Sequence, residues 1–403
     1  MSLNQVFFGS SRSLLLSLGL LAPLTSGTPA HAQPVTERGP VPAAAAAPSE
    51  APQPAPLQPR PAVSQAPAPR KDGGFGLVPL VLPAYQPETS GLLGAAAMLV
   101  YEQPKGSGLR DSQVIFAGSA SLKKQFSSIV QPDLFLLRDA LHISGTAAFS
   151  RFPDTFYGIG NDTRSSDAER YTADFYEAEL SPKLRLFQGF YLGPTARVHK
   201  TTIVATQPGG QIDTHAVHGS TGGLSVMAGL SAFHDSRDGT IYPRSGHIVR
   251  TWVRFARHEL GSDFDYTTFR FDARQYITLY GKHVLALQAV AHLQAGQPPF
   301  YELGRMGGSE IMRGYFEGRF RGRFYFPVQA EYRFPIVWRL GGVAFASAGY
   351  VTQHLDHLRA RDVRTAAGGG LRLAPFDDLP VNFRVDVAYG NETSAYVSVG
   401  EAF

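Results

Sequence analysis

The sequence predicts an all-β chain whose main part is a transmembrane antiparallel β-barrel of about sixteen strands, preceded by a disordered Pro/Ala-rich segment. Three observations carry this. From Phe75 onward, apolar and polar residues alternate in segments separated by Gly, Pro, Asp and Asn. The N-terminus reads as a secretory signal. After it, no run approaches the roughly 18 apolar residues a spanning helix needs.

Composition narrows the choice. The chain has 403 residues, 42 Gly and no Cys, with 17% charged and 43% hydrophobic residues. That length could hold several ordinary domains or one large closed sheet. Without Cys there are no disulfides, thiolate zinc sites or cysteine nucleophiles, and no lipid attachment through an N-terminal Cys. A net charge of +4 gives no reason to expect a nucleic-acid partner.

Residues 1–32 read as a signal peptide: Arg12, the apolar stretch Leu14 to Leu24, and the small-residue site Ala30-His31-Ala32. Residues 33–74 read as a disordered periplasmic linker. Between Gln33 and Arg70 there are 11 Pro and 10 Ala in 38 residues, too little buriable surface to offset the entropy of ordering.

Residues 75–403 read as the barrel. Val381, Phe383, Val385, Val387 and Tyr389 form one face of a strand, and Asn382, Arg384, Asp386 and Ala388 the other. Phe324, Phe326, Val328, Ala330, Tyr332 and Phe334 oppose Tyr325, Gln329, Glu331 and Arg333. Phe269, Phe271, Ala273, Ile277 and Leu279 oppose Arg270, Asp272, Arg274 and Tyr276. In a soluble sandwich the apolar face would point inward, on strands of about 5–6 residues. Longer strands with aromatic ends, behind a signal peptide, favour the inverse arrangement, with the apolar face in lipid and the charged face in a lumen.

The alternation places strands near 77–85, 91–101, 109–121, 124–136, 138–151, 171–182, 184–203, 219–233, 246–258, 263–280, 282–295, 323–335, 337–350, 362–374, 380–390 and 394–403. The connections 152–170, 204–218, 296–322 and 351–361 then fall outside, and short turns after Phe135, Leu180 and Phe334 fall on the periplasmic side. Phe403, with Val399, Val397 and Ala395 on its face, reads as an outward-facing terminal aromatic suited to recognition by barrel-assembly machinery. Glu401 interrupts that face.

The segment from Gly304 to Tyr315, with Arg313-Gly314-Tyr315 at its centre, resembles the loop motif of the BamA/TamA superfamily (the bacterial surface antigen family). Its downstream context is Gln329-Ala330-Glu331-Tyr332-Arg333-Phe334-Pro335. Asp235-Ser236-Arg237-Asp238 with Pro243 and Gly246 resembles a family turn, and Phe156 to Thr163 looks like a loop of the short members. The resemblance covers the barrel and implies a short member lacking POTRA domains. It also implies that the Arg313 loop folds back into the barrel and that Glu331, on the next strand, partners Arg313. Phe345, Ser347 and Gly349 fall where the family commonly has Asp between the Phe and the Gly. Ser347 offers only a neutral hydrogen bond, so the lock is expected to rest on the single charge of Glu331.

Other chemistry is weaker. His215 with His218 and His354 with His357, near Asp213 and Asp356, have metal-like spacing but lie in loops. His142 and Ser144 share a lumen-facing row, which keeps a barrel hydrolase in view. Gly368 to Gly370 lack the strand-to-helix context of a phosphate loop and read as a strand bend or close packing. No metal and no cofactor are expected.

The resemblance implies a cell outer membrane protein, not an enzyme. It would act in insertion or translocation of protein or lipid through a lateral seam between the first and last strands. Gly91, Gly94 and Gly400 lie near that seam. Expected partners are outer-membrane lipids, unfolded barrel proteins or lipid cargo, the assembly machinery that reads the C-terminal strand, and a second copy of the chain. A passive porin or structural surface protein is the alternative reading, and an outer-membrane lipid hydrolase the third.

Overall fold

The computed structural model describes residues 73–403, except 89, 105, 241, 358 and 375–381. The signal-peptide reading and all but the end of the linker lie outside the described residues. Sixteen antiparallel strands form a closed barrel in chain order, with β18 returning to β1. They are β1 (Gly74–Gln86), β2 (Ser90–Glu102), β3 (Ser112–Ser121), β4 (Phe126–Leu136), β5 (Leu141–Phe156), β6 (Glu169–Phe187), β7 (Phe190–Thr206), β8 (Gly222–Asp235), β9 (Gly246–Ala256), β10 (Tyr266–Tyr280), β11 (His283–Gly296), β14 (Phe324–Val337), β15 (Leu340–Thr352), β16 (Arg364–Leu373), β17 (Phe383–Tyr389) and β18 (Thr393–Val399). Two short strands, β12 (Gly304–Met306) and β13 (Phe320–Gly322), pair as a hairpin inside the β11–β14 loop.

Burial inverts the order of a soluble protein. On β17, Val385, Val387 and Tyr389 are exposed, whereas Arg384 and Asp386 are 0% exposed. On β14, Gln329, Glu331 and Arg333 are buried and Val328 is exposed. An apolar outer wall around a charged interior is what a membrane barrel requires. The lumen is filled by the β11–β14 loop, whose Phe300, Tyr301, Leu303, Met306, Met312, Tyr315 and Phe320 are all buried.

Two expectations need correction. β6 does not turn after Leu180 but runs to Phe187, and the chain reverses at Gln188-Gly189, where Gly189 has φ 75°. Ser181 and Pro182 stay in the ladder opposite Ser144 and Ile143. Gly193 on β7 makes this possible, because a Cβ there would lie 2.0 Å from the Pro182 carbonyl oxygen.

The second concerns the last residues. β18 ends at Val399, Gly400 takes φ 85°, and the chain turns into the lumen. Ala395 is exposed on the outer face, but Val399 is buried, and Phe403, 1% exposed, packs against Tyr276 and Ala286 with the Arg333 guanidinium 5.6 Å from its ring. Phe403 therefore does not face lipid. Glu401 supplies the physical reason: on the outer face its carboxylate would meet hydrocarbon, whereas inside it pairs with Arg372 at 2.8 Å.

Candidate functional site

The site is the tip of the β11–β14 loop and the wall it meets. Glycine makes the tip possible. Gly307, Gly308 and Gly314 take φ of 107°, 109° and 100°, a region costly for other residues. A Cβ on Gly307 would lie 2.2 Å from the Phe316 carbonyl oxygen, and one on Gly314 would lie 2.7 Å from the Gly390 nitrogen.

These reversals deliver Arg313 to the β14–β17 wall. Its Nη2 donates to Glu331 Oε2 at 2.8 Å and its Nη1 to Asp386 Oδ2 at 2.6 Å. The guanidinium carbon lies 3.4 Å from the centroid of the Phe345 ring. A planar guanidinium between two carboxylates and over an aromatic face uses the properties that separate Arg from Lys. The expectation of a one-charge lock is thus corrected. Ser347 is buried on β15 opposite Gln329 and Ala366, and the second carboxylate comes from β17.

The glycine run on β16 clears the space. A Cβ on Gly368 would lie 2.6 Å from the Phe345 ring, and one on Gly370 would lie 2.0 Å from Asp386 Oδ1. Gly349 does the same for the tip, lying against Met312 and Met306. The Gly314 N–H donates to the Tyr396 hydroxyl at 3.0 Å, and the Tyr315 hydroxyl donates to the Thr365 carbonyl at 3.1 Å.

Around Arg313 the charges form a network. Arg333 Nε donates to Glu331 at 2.9 Å, Arg372 Nη1 to Asp386 at 2.6 Å, and Arg384 Nε lies 3.6 Å from Asp386. Buried ions offset their desolvation only when so paired, and removing one partner leaves the others uncompensated.

The loop is held on the opposite side too, by residues that sequence reasoning missed. Glu302 accepts from Arg197 Nη1 at 2.9 Å and bonds to His199, while Arg197 also reaches Glu177 at 3.0 Å. Arg321 and Arg305 reach Asp154 at 3.0 and 3.2 Å, and Tyr171 donates to the same carboxylate at 2.9 Å. The segment from Phe156 to Thr163, noted in the sequence, docks here: the Gly160 N–H donates to the Arg321 carbonyl at 2.7 Å, and Arg319 donates to the Thr163 carbonyl at 2.8 Å. Glu88, in the β1–β2 turn, accepts from the Glu317 N–H at 3.0 Å.

Three carboxyls in or against the loop differ in character. Burial would raise Glu302, but the charge of Arg197, with the hydrogen bonds from Arg197 and His199, outweighs it and holds the carboxyl well below the usual range. Burial pushes Glu310 up to about 8, with Arg274 and Arg384 pulling only partly back. It likewise pushes Glu88 up to about 7, against the Glu317 hydrogen bond.

The remaining candidates are dispersed. His215 bonds to Ser220, His218 packs edge-on to Phe264, and Asp213 accepts from Thr206 and the Gly209 N–H. Among the described residues no three His, Asp or Glu side chains converge as metal ligands. His142 bonds to Asp133 at 2.5 Å, whereas the Ser144 hydroxyl accepts from Lys183 at 3.0 Å. The imidazole and the hydroxyl are thus each engaged by a different partner.

The seam completes the picture. β1 and β18 share one registered pair among the described residues, Tyr85 with Val397. Every other neighbouring pair of barrel strands shares at least seven, the number joining β17 to β18.

Solved structures similar in fold include the following two. BamA from Haemophilus ducreyi lacking POTRA domains 1–3 aligns with TM-score 0.55 at 14% identity, over 82% of this chain and 70% of that one. CdiB from Escherichia coli aligns with TM-score 0.51 at 14% identity, over 81% of this chain and 62% of that one. A search of curated proteins finds no match. The family model for the Omp85 superfamily domain matches residues 128–393, which take in the Arg313 loop, both of its carboxylate partners and most of the wall. The chain belongs to the Omp85 superfamily of outer-membrane β-barrels.

Proposed function

We propose that this barrel inserts or translocates polypeptide, or lipid, at the outer membrane by parting at the β1–β18 seam while the Arg313 loop braces the lumen. The observation that carries the reading is that the seam has a single registered pair among the described residues. Unpaired backbone groups are costly in hydrocarbon, and an extended segment entering the seam satisfies them by edge addition. The loop lock is mechanical in this reading: Arg313, Glu331 and Asp386 hold the wall beside the seam in one geometry and perform no bond chemistry, so the protein is not an enzyme. The tuck of Val399, Gly400 and Phe403 into the lumen leaves the seam short.

Reconstitution tests it. Liposomes carrying the protein should accelerate insertion of an unfolded barrel protein, or scrambling of labelled lipid, over protein-free liposomes. Equal rates for both cargoes would refute the proposal, and a steady, ion-selective conductance from the same vesicles would favour a passive porin.

A further inference from the structure

The open edge of β1 carries an irregularity that its sequence explains. Leu122 N–H donates to the Gly91 carbonyl at 2.8 Å, so the odd-numbered residues of β2 turn their main-chain groups toward β3. Pro79 and Pro83 of β1 stand opposite Ala97 and Leu93, which are odd-numbered, and the β1–β2 register runs unbroken from Gly74 to Gln86. Directly opposed antiparallel residues either both face each other or both face away. Pro79 and Pro83 therefore turn their backbones away from β2, toward the seam. Phe75, Leu77, Val81 and Tyr85 share that direction. Proline has no N–H, so this edge offers carbonyls at every alternate residue but lacks donors at two of them.

The register shows where this bites. With Tyr85 opposite Val397, a continued ladder would set Val399 opposite Pro83 and Phe403 opposite Pro79. At that point β18 stops: the Gly400 N–H still meets the Asn382 carbonyl at 2.7 Å, in step with the β17 ladder, but Gly400 takes φ 85° and the chain beyond it turns away from β1. The Phe403 carbonyl is met by Arg333 Nη2 at 2.9 Å, inside the lumen.

We propose that Pro79 and Pro83 determine what the seam can pair with: by removing two donors they stop β18 from zipping onto β1, and they let an incoming extended polypeptide pair fully at Phe75 and Leu77 but not continuously beyond. This rests on the seam reading above and adds that strand capture is brief rather than stable. An entering strand leaves its own carbonyls unmet opposite each proline, in hydrocarbon, and is favoured to move on.

The test uses the absence of native cysteine. In a continued ladder Ala402 would stand opposite Leu80, within reach of a disulfide between non-hydrogen-bonded partners. In the native arrangement Ala402 packs with Tyr276, Ala286 and Phe403. The pair Leu80→Cys with Ala402→Cys is placed in the otherwise unchanged full chain, in Pro83→Val and in Pro79→Val/Pro83→Val. Crosslinking is scored only in the fraction that migrates as folded barrel on an unheated gel. Restoring two hydrogen bonds should raise crosslinking by roughly tenfold or more in the double variant and by less in the single one. Equal crosslinking in all three overturns the inference. Insertion is measured separately: raised crosslinking with no accelerated insertion by the native chain keeps the proline assignment and removes the proposed function, and unchanged crosslinking with accelerated insertion does the reverse.

Discussion

The wall that receives the loop and the wall that closes the barrel stand side by side and are built on opposite terms. At the β14–β17 wall, the loop's Arg313 and the wall's Arg333, Arg372 and Arg384 interlock with Glu331, Asp386 and, beyond β18, Glu401, all buried. Between β18 and β1 there is one registered pair among the described residues. Charge is concentrated where the loop meets the wall, and pairing is thinned where, in the proposed function, the chain parts. In the proposed function the contrast has a use, because each pair added at the seam would help to hold it shut.

The largest effect should come from attacking the strong side. Arg313→Ala leaves Glu331 and Asp386 with less compensation in a buried setting, so release of the loop should be eased by about 3–5 kcal/mol. Protease cleavage between residues 307 and 318, together with larger and more erratic conductance in planar bilayers, reads this out. Asp386→Asn should act in the same direction by a smaller amount, about 1.5–3 kcal/mol for one charge-assisted bond. If Asp386→Asn is silent, the lock rests on Glu331 alone and the contrast with the seam shrinks.

An intermediate effect is expected from pH. Glu310 is raised from 4.5 to about 8 in the tucked loop, so the tucked state holds a proton that the released, solvated loop gives up. Its stabilisation is full below pH 4.5 and is lost as pH rises toward 8. Loop protection from protease should therefore fall between pH 5 and pH 8, and Glu310→Gln should flatten that dependence. A profile unchanged by the substitution would assign the titration to another group, such as Glu88.

The smallest effect should come from the weak side. Val397→Pro removes the donor at the one seam pair registered among the described residues and should lower resistance to denaturation by about 1 kcal/mol or less, measured by the midpoint of heat-dependent gel mobility. A loss as large as that of Arg313→Ala would mean the seam is a structural joint and would erase the distinction drawn here.

How far the sequence could be read follows from what alternation encodes. It assigns each residue to a face, so the inward Arg384 and Asp386 and the outward Val385 and Val387 were legible, as was the strand number. It does not encode height in the lumen or partners across it. Asp386 was visible as an inward acid, but nothing local said that it replaces the carboxylate missing at Ser347, two strands away. Glu302 meets Arg197 across more than a hundred residues for the same reason. The turn after Leu180 was misplaced because Pro182 imitates a strand end, and the glycine that tolerates it, Gly193, lies on the next strand. Phe403 was assigned outward by parity, which holds only while the chain stays extended. Gly400 breaks the parity.

The loop touches β5 through Asp154, β7 through Arg197, β14 through Glu331, β17 through Asp386 and β18 through Tyr396. It thus resembles the hub of a wheel, with spokes to well-separated points of a rim that is joined weakly at one place. In the proposed function, a displacement of the loop would reach β5, β7, β14, β17 and β18 together, and the β1–β18 join, with its single registered pair among the described residues, would be the first place to yield.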